Sequence, residues 1–246
     1  RSTQSRSSAA SDVYKRQKQR IVRMYDIIVP DRTTILFGDI SENTSSVVVS
    51  SILKYNYENN NMPIFLYINS LGGSVYSAWS IVDVMNSVET PIVTVGVGAV
   101  MSAAVLVLAS GTKGWRFLSK NTRVMIHNVY GGSDGTPDDI KRDAKELSYL
   151  EQRYIEELSA ATGKAVKDIQ EDMKNTKYMD SDEAVKYGLA DYNRIVTPSD
   201  LHFLSYITTD KSDIVAEHKR HKSKVKLNAT KDTANKRDKQ NPNTRS

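Results

Sequence analysis

Ser102 and His127 are the two side chains of this sequence whose types and settings suit nucleophilic catalysis. Ser102 closes Gly98-Ala-Val-Met-Ser102, after the β-branched run Pro91 to Val97 and ahead of the apolar stretch Ala103 to Ala109. That order predicts a strand-to-helix junction with the serine on the helix's first turn. His127 ends the short strand Arg123-Val-Met-Ile-His127, just before Gly131-Gly132. A serine hydroxyl of ordinary pKa is a weak nucleophile and needs a base within hydrogen-bond reach and donors for the oxyanion that forms. The first turn of a helix leaves N–H groups near Ala103 unsatisfied at the positive end of the dipole. Gly73 offers a second amide, because a residue without Cβ lets a bound carbonyl come close. Together these are the minimum parts of a serine hydrolase. Taken singly, each has a structural explanation: a serine opening an apolar helix is ordinarily an N-cap, and a lone histidine at a strand end ordinarily serves structure.

The elements that must position this pair alternate along the chain. Strands are predicted at Thr33 to Phe37, Pro63 to Asn69, Pro91 to Val97, Trp115 to Leu118 and Arg123 to Ile126. Helices are predicted at Asn43 to Tyr57, Ser74 to Ser87 and from near Ser102. A long amphipathic helix follows from Pro137 to about Ala161, ended by Thr162-Gly163, then shorter ones at Ala165 to Met173 and Asp182 to Tyr187. Strands separated by helices of this size imply an α/β fold with a mostly parallel sheet. The long helix is too polar to be buried throughout, which suits a subunit contact.

Composition narrows the chemistry. None of the 246 residues is cysteine, which excludes disulfides, thiolate metal sites and thiol nucleophiles and is compatible with a cytoplasmic location. Besides His127 the histidines are His202, His218 and His221; the last two sit in a basic segment with no carboxylate or cysteine cluster, so no metal site is expected. No apolar run approaches the length of a membrane span, and a soluble protein is expected. The net charge of +5 is uneven: residues 211–246 carry +7 and residues 1–17 carry +3, leaving 18–210 at −5. The basic balance therefore belongs to the ends. Residues 1–17 resemble a translated sequencing-library adapter and are set apart from the fold, with Met24 a candidate start. The domain is expected at 18–195, and residues 196–246 read as a basic, largely disordered tail. Specific nucleic-acid recognition is not expected, because the tail lacks interleaved aromatics.

Four segments in register carry a resemblance: Tyr67-Ile-Asn-Ser-Leu-Gly-Gly-Ser74, Gly98 to Ser102, Arg123 to His127, and Asp182-Glu-Ala-Val-Lys-Tyr-Gly-Leu189. They look like the proteolytic subunit of the Clp protease, over about Tyr25 to Asp191. The resemblance implies a ClpP/crotonase-type α/β fold of stacked ββα units with a long protruding handle helix, here Pro137 to Ala161. It implies a serine endopeptidase acting on unfolded polypeptide, with Ser102 as nucleophile, His127 as general base, and the Gly73 and Ala103 amides as oxyanion hole. It also implies a homo-oligomer of two stacked seven-membered rings, served by a separate AAA+ unfoldase. This chain has no G-x-x-x-x-G-K-[ST] loop, so it is not expected to unfold substrates with ATP itself; no cofactor is expected in this chain, and ATP would be used by the partner.

Departures from the family pattern fall around the site. Leu71 stands where the family usually has proline, and Ala103-Ala104 where it has Met-Gly; the oxyanion donors are backbone groups and survive these changes, although Ala104 adds a methyl in a tight place. Counting back from Glu183-Ala-Val-Lys-Tyr-Gly188 puts the family's aspartate at Thr176. A threonine hydroxyl accepts a hydrogen bond but carries no charge, and losing the charged orienter costs a Ser-His-Asp site roughly 10⁴-fold. Asn175, Asp172 and Asp180 are the alternative orienters, with Asp180 expected to cap the next helix and Asp172 to face solvent. Two other functions are compatible with this divergence: a catalytically impaired structural ring subunit, and a phage-type capsid maturation protease on the same fold.

Overall fold

The β-branched segment Thr33–Phe37 (β1) and the apolar run Ile64–Ser70 (β2) pair in parallel in the computed structural model, whose described residues are 31–197. The adapter-like segment, Met24, residues 198–246 of the basic tail and with them His202, His218 and His221 lie outside those residues, whereas Val196, expected to open the tail, is buried in the core and its carbonyl accepts from the Tyr67 hydroxyl at 2.7 Å. Between β1 and β2 runs helix α1 (Glu42–Glu58), opened by a reciprocal capping box between Ser41 and Thr44. Helix α2 (Val75–Ser87) leads from β2 to β3 (Ile92–Met101), and α3 (Ala103–Ala109) follows β3 directly. Such helical crossovers are what parallel neighbours require.

Strand β3 organises the sheet. Its first half, Thr94 to Gly96, pairs with β4 (Arg116–Leu118), and its second half, Ala99 to Met101, pairs with β5 (Arg123–Ile126). Each pairing is parallel. The sheet runs β1-β2-β3-β4-β7, with β7 at Tyr192–Asn193, while β5 branches from β3 and carries β6 (Lys177–Met179) antiparallel to it. Two differences from the sequence reading matter. Strand β3 was expected to stop at Val97 but continues through Gly98 to Met101, and that extension holds β5. Strands β6 and β7 were not anticipated, since two or three residues cannot display a period.

Alternation along the strands sends side chains to opposite faces. Ile64, Leu66 and Ile68 of β2 join the main core, whereas Phe65 joins a second cluster with Val93, Val95, Trp115, Phe117 and Val196. All seven residues of α3 are buried, as an all-apolar helix requires. Helix α4 (Pro137–Thr162) begins with a Thr136–Asp139 capping box and proline in its first turn, and ends at Gly163 in the left-handed conformation. Its buried residues, Leu150, Tyr154, Ile155 and Leu158, all belong to the C-terminal half. The N-terminal half is largely exposed, tied to α2 by the hydrogen bond from the Tyr76 hydroxyl to Glu146 at 2.7 Å. Helices α5 (Val166–Lys174) and α6 (Ser181–Tyr187) complete the described chain. Among the described residues no helix is long and apolar enough to cross a membrane.

Candidate active site

Ser102 occupies the junction between β3 and α3, but its backbone is not helical. Its φ of 54° and ψ of −130° fall outside the helix, and its side chain makes no capping hydrogen bond. The expectation of a first-turn serine is corrected to a strained junction residue, and the N-cap explanation fails with it. The surrounding backbone holds this conformation: the Ser102 N–H donates to the Met125 carbonyl at 2.8 Å, and the Ser102 carbonyl accepts from the Val105 N–H at 2.9 Å and from the Tyr154 hydroxyl at 2.9 Å. Strain of this kind persists where neighbouring structure over-determines it, and such sites are often functional. With no helix N–H to serve, the Ser102 Oγ lies 2.8 Å from the Nε2 of His127.

His127 reaches Ser102 because β5 pairs with the end of β3. Met101 and Met125 are partners in that ladder, so the next residues lead directly to the serine on one strand and to Ile126-His127 on the other. The imidazole is half-buried, and burial holds its pKa below the ordinary histidine value. A neutral ring at neutral pH leaves Nε2 able to accept a proton. The exposed ring of Tyr130 stands over it, with centroids 5.4 Å apart and planes tilted by 54°.

The two proposed oxyanion donors belong to backbone beside Ser102. Ala103 is the first residue of α3, where an N–H has no intrahelical acceptor. Ala104 behind it is fully buried and helical, so its extra methyl is accommodated. Gly73 lies in a loop tied to β1's end by hydrogen bonds from Ile40 N–H to Gly72 O at 2.8 Å and from Ser74 N–H to Ile40 O at 2.9 Å. The loop runs so close to its neighbours that only glycine fits. A Cβ on Gly72 would stand 2.6 Å from the Ser102 Cβ, and one on Gly73 would stand 2.3 Å from the Ile40 carbonyl oxygen. Both glycines also have positive φ, 107° and 143°.

The third member of the constellation is where this site is weakest. Thr176 follows the pairing of β6 with β5 to the strand end next to His127, is exposed, and has φ 46°. Among the described residues the imidazole's hydrogen bond is to Ser102, and none joins it to Thr176, Asn175, Asp172 or Asp180. Asn175 caps the C-terminus of α5. Asp180 caps α6 and accepts from the Glu183 N–H at 2.8 Å, as expected. Asp172 was expected to face solvent but is half-buried, accepting from Lys177 Nζ at 2.6 Å and from the Tyr187 hydroxyl at 2.9 Å. Neither carboxylate orients the imidazole.

Sequence reasoning missed Tyr154 and the Met125 carbonyl. A main-chain acceptor leaves no trace in residue types. Tyr154 did leave one: it recurs with Leu150 and Leu158 at helical spacing on a core-facing stripe, and a buried phenol must find a partner.

The model of the Clp protease family matches residues 16–197. A protein of Prochlorococcus marinus (strain MIT 9312), named ATP-dependent Clp protease proteolytic subunit 1, is 38% identical over 173 residues, covering 70% of this chain and 89% of the relative. A protein of the same name from Leifsonia xyli subsp. xyli is 34% identical over 171 residues, covering 70% and 87%.

Proposed function

The chain belongs to the Clp protease family, and from that premise we propose that it is a serine-type endopeptidase that cleaves unfolded polypeptide through an acyl-enzyme on Ser102. The observation that carries the proposal is the 2.8 Å contact between Ser102 Oγ and His127 Nε2, made by a serine held out of the adjoining helix.

Ser102 Oγ attacks the scissile carbonyl as His127 Nε2 takes its proton. The resulting oxyanion is met by the Gly73 and Ala103 N–H groups. Collapse breaks the C–N bond, and the imidazolium returns the proton to the leaving amine. Water then attacks the acyl-enzyme with His127 again as base, releasing the second product and restoring the hydroxyl. Thr176 is the proposed orienter on the strength of the β5–β6 register, which puts it opposite His127; its hydroxyl would have to turn toward Nδ1–H to accept from it, and it supplies no charge.

The relatives' name, which describes an ATP-dependent proteolytic subunit, supports a partnership with a separate AAA+ unfoldase that consumes the ATP. The exposed N-terminal half of α4, with Ile140 exposed and Leu147 beside the Gly131-Gly132 segment, supports a homo-oligomer, which we take to be two stacked seven-membered rings. The absence of cysteine from the whole sequence suits a cytoplasmic setting.

The test is hydrolysis of a fluorogenic peptide and of a denatured polypeptide by wild type and Ser102→Ala. Turnover by the first and its loss in the second support the peptidase. A correctly assembled wild type inert toward both would instead support the impaired structural subunit, the reading that the uncharged Thr176 favours.

A further inference from the structure

Ser102 keeps a backbone conformation that non-glycine residues rarely adopt, and three hydrogen bonds converge on its peptide groups. Two come from expected neighbours, the β5 strand and the next turn of α3. The third comes from the long helix α4. We infer that Tyr154 is a positioning residue for the nucleophile: its hydroxyl, donating to the Ser102 carbonyl at 2.9 Å, keeps that peptide turned so that Oγ stays within reach of His127. The inference rests on the reading of Ser102 as nucleophile.

Two observations separate this role from simple satisfaction of a buried phenol. The Ser102 carbonyl already accepts the Val105 N–H at 2.9 Å, so the tyrosine is a second donor, not the one that rescues a stranded acceptor. The ring is buried and burial pushes the pKa of its hydroxyl well up, so it keeps its proton and acts as a donor. Two donors fix both lone-pair directions of the carbonyl, and so fix the peptide plane that sets ψ of Ser102. The nucleophile is thereby tied to the same helix whose other half is exposed.

The test compares Tyr154→Phe with Leu158→Ala in the full, assembled protein. Leu158 is buried one turn further along α4, so its truncation loosens the core without removing a donor to Ser102. For Tyr154→Phe the expected result is a fall of about tenfold in both kcat and the rate of fluorophosphonate labelling, with KM unchanged and only a small change in melting temperature. Its crystal structure should show Ser102 ψ moved away from −130° and the Oγ–Nε2 hydrogen bond opened. Leu158→Ala should melt earlier yet label at the wild-type rate when assayed well below its melting point. The inference is overturned if Tyr154→Phe labels as wild type with Ser102 unmoved, or if Leu158→Ala slows labelling equally. Failure of wild type to label at Ser102 would count against the nucleophile reading; the Ser102 conformation in the Phe variant would still decide the role of Tyr154.

Discussion

Ile126 of β5 and Lys177 of β6 are partners in the one antiparallel pairing of the described sheet, and the next residues outward are His127 and Thr176. That register puts an uncharged, β-branched residue where an orienting carboxylate would be most useful. Its φ of 46° is also one that a β-branched residue tolerates poorly and Asp or Asn tolerates better.

Replacing Thr176 with aspartate should therefore raise peptidase turnover. An increase of at least about tenfold in kcat is expected, against the roughly 10⁴-fold that a charged orienter contributes in a Ser-His-Asp site. Steady-state hydrolysis of a fluorogenic peptide measures it. Unchanged or lower turnover by a well-folded Thr176→Asp protein would mean that the side chain at 176 does not address His127.

The pH profile should carry the same signature. The proposed mechanism needs neutral His127, and burial holds its pKa below the ordinary value. The acid limb of kcat/KM should thus lie below about pH 6.5. Thr176→Asp should move that limb to higher pH, because a nearby negative charge favours imidazolium. A wild-type limb above the ordinary histidine value would reveal an unrecognised anionic partner.

Much of this site was legible because Ser102 and His127 each sat in a recognisable segment, and the glycines at 72 and 73 announced a close backbone approach. The strand was expected to end at Val97, where its β-branched run stops, whereas β3 passes through Gly98 and the added residues Ala99 to Met101 are the ones that hold β5. The φ of Ser102 had no signal at all, because nothing in a serine's identity announces a left-handed backbone. Asp172 was misjudged for a related reason: its partners Lys177 and Tyr187 come from β6 and α6, and local periodicity does not show what a later segment folds back to meet.

The proposed uncharged orienter also predicts a preference among leaving groups. Expelling an amine requires a proton from imidazolium, the species that a carboxylate would have stabilised, while an activated ester expels its alcohol without that help. The ratio of kcat for a p-nitrophenyl ester to kcat for the matching peptide amide should be large in wild type and should shrink at least about tenfold in Thr176→Asp. Equal ratios in the two proteins would remove the general-acid step from the account.

Gly72→Ala is expected to damage both fold and chemistry. The added Cβ would meet the Ser102 Cβ at 2.6 Å and the Met101 carbonyl oxygen at 3.0 Å, with φ at 107°. Displacing the loop would move the Gly73 amide away from the proposed oxyanion position, and misplacement on the order of 1 Å can cost about 10²-fold. A loss of kcat/KM of that size, in protein whose circular dichroism remains native, is the expected result. Wild-type turnover would contradict the tight approach.

Asp172→Asn supplies the matching negative control for the orienter. Desolvation works to raise the Asp172 pKa, but hydrogen bonds from Lys177 and Tyr187 outweigh it and hold the carboxyl below its ordinary value. A depressed folded pKa contributes stability at neutral pH that is lost as pH falls through the acidic range below about 4. The variant should lose about 1 kcal/mol at pH 7, read by urea denaturation, with less loss in acid. Its pH–rate profile should match wild type. A collapse of turnover would identify Asp172, not Thr176, as the group acting on His127.

Mass-spectrometric mapping of a fluorophosphonate adduct tests the central claim most directly. Wild type should carry one adduct, on the peptide containing Ser102, formed far more slowly in His127→Ala and absent in Ser102→Ala. An adduct on another residue, or none on folded and assembled wild type, would contradict the assignment of Ser102 as an activated nucleophile.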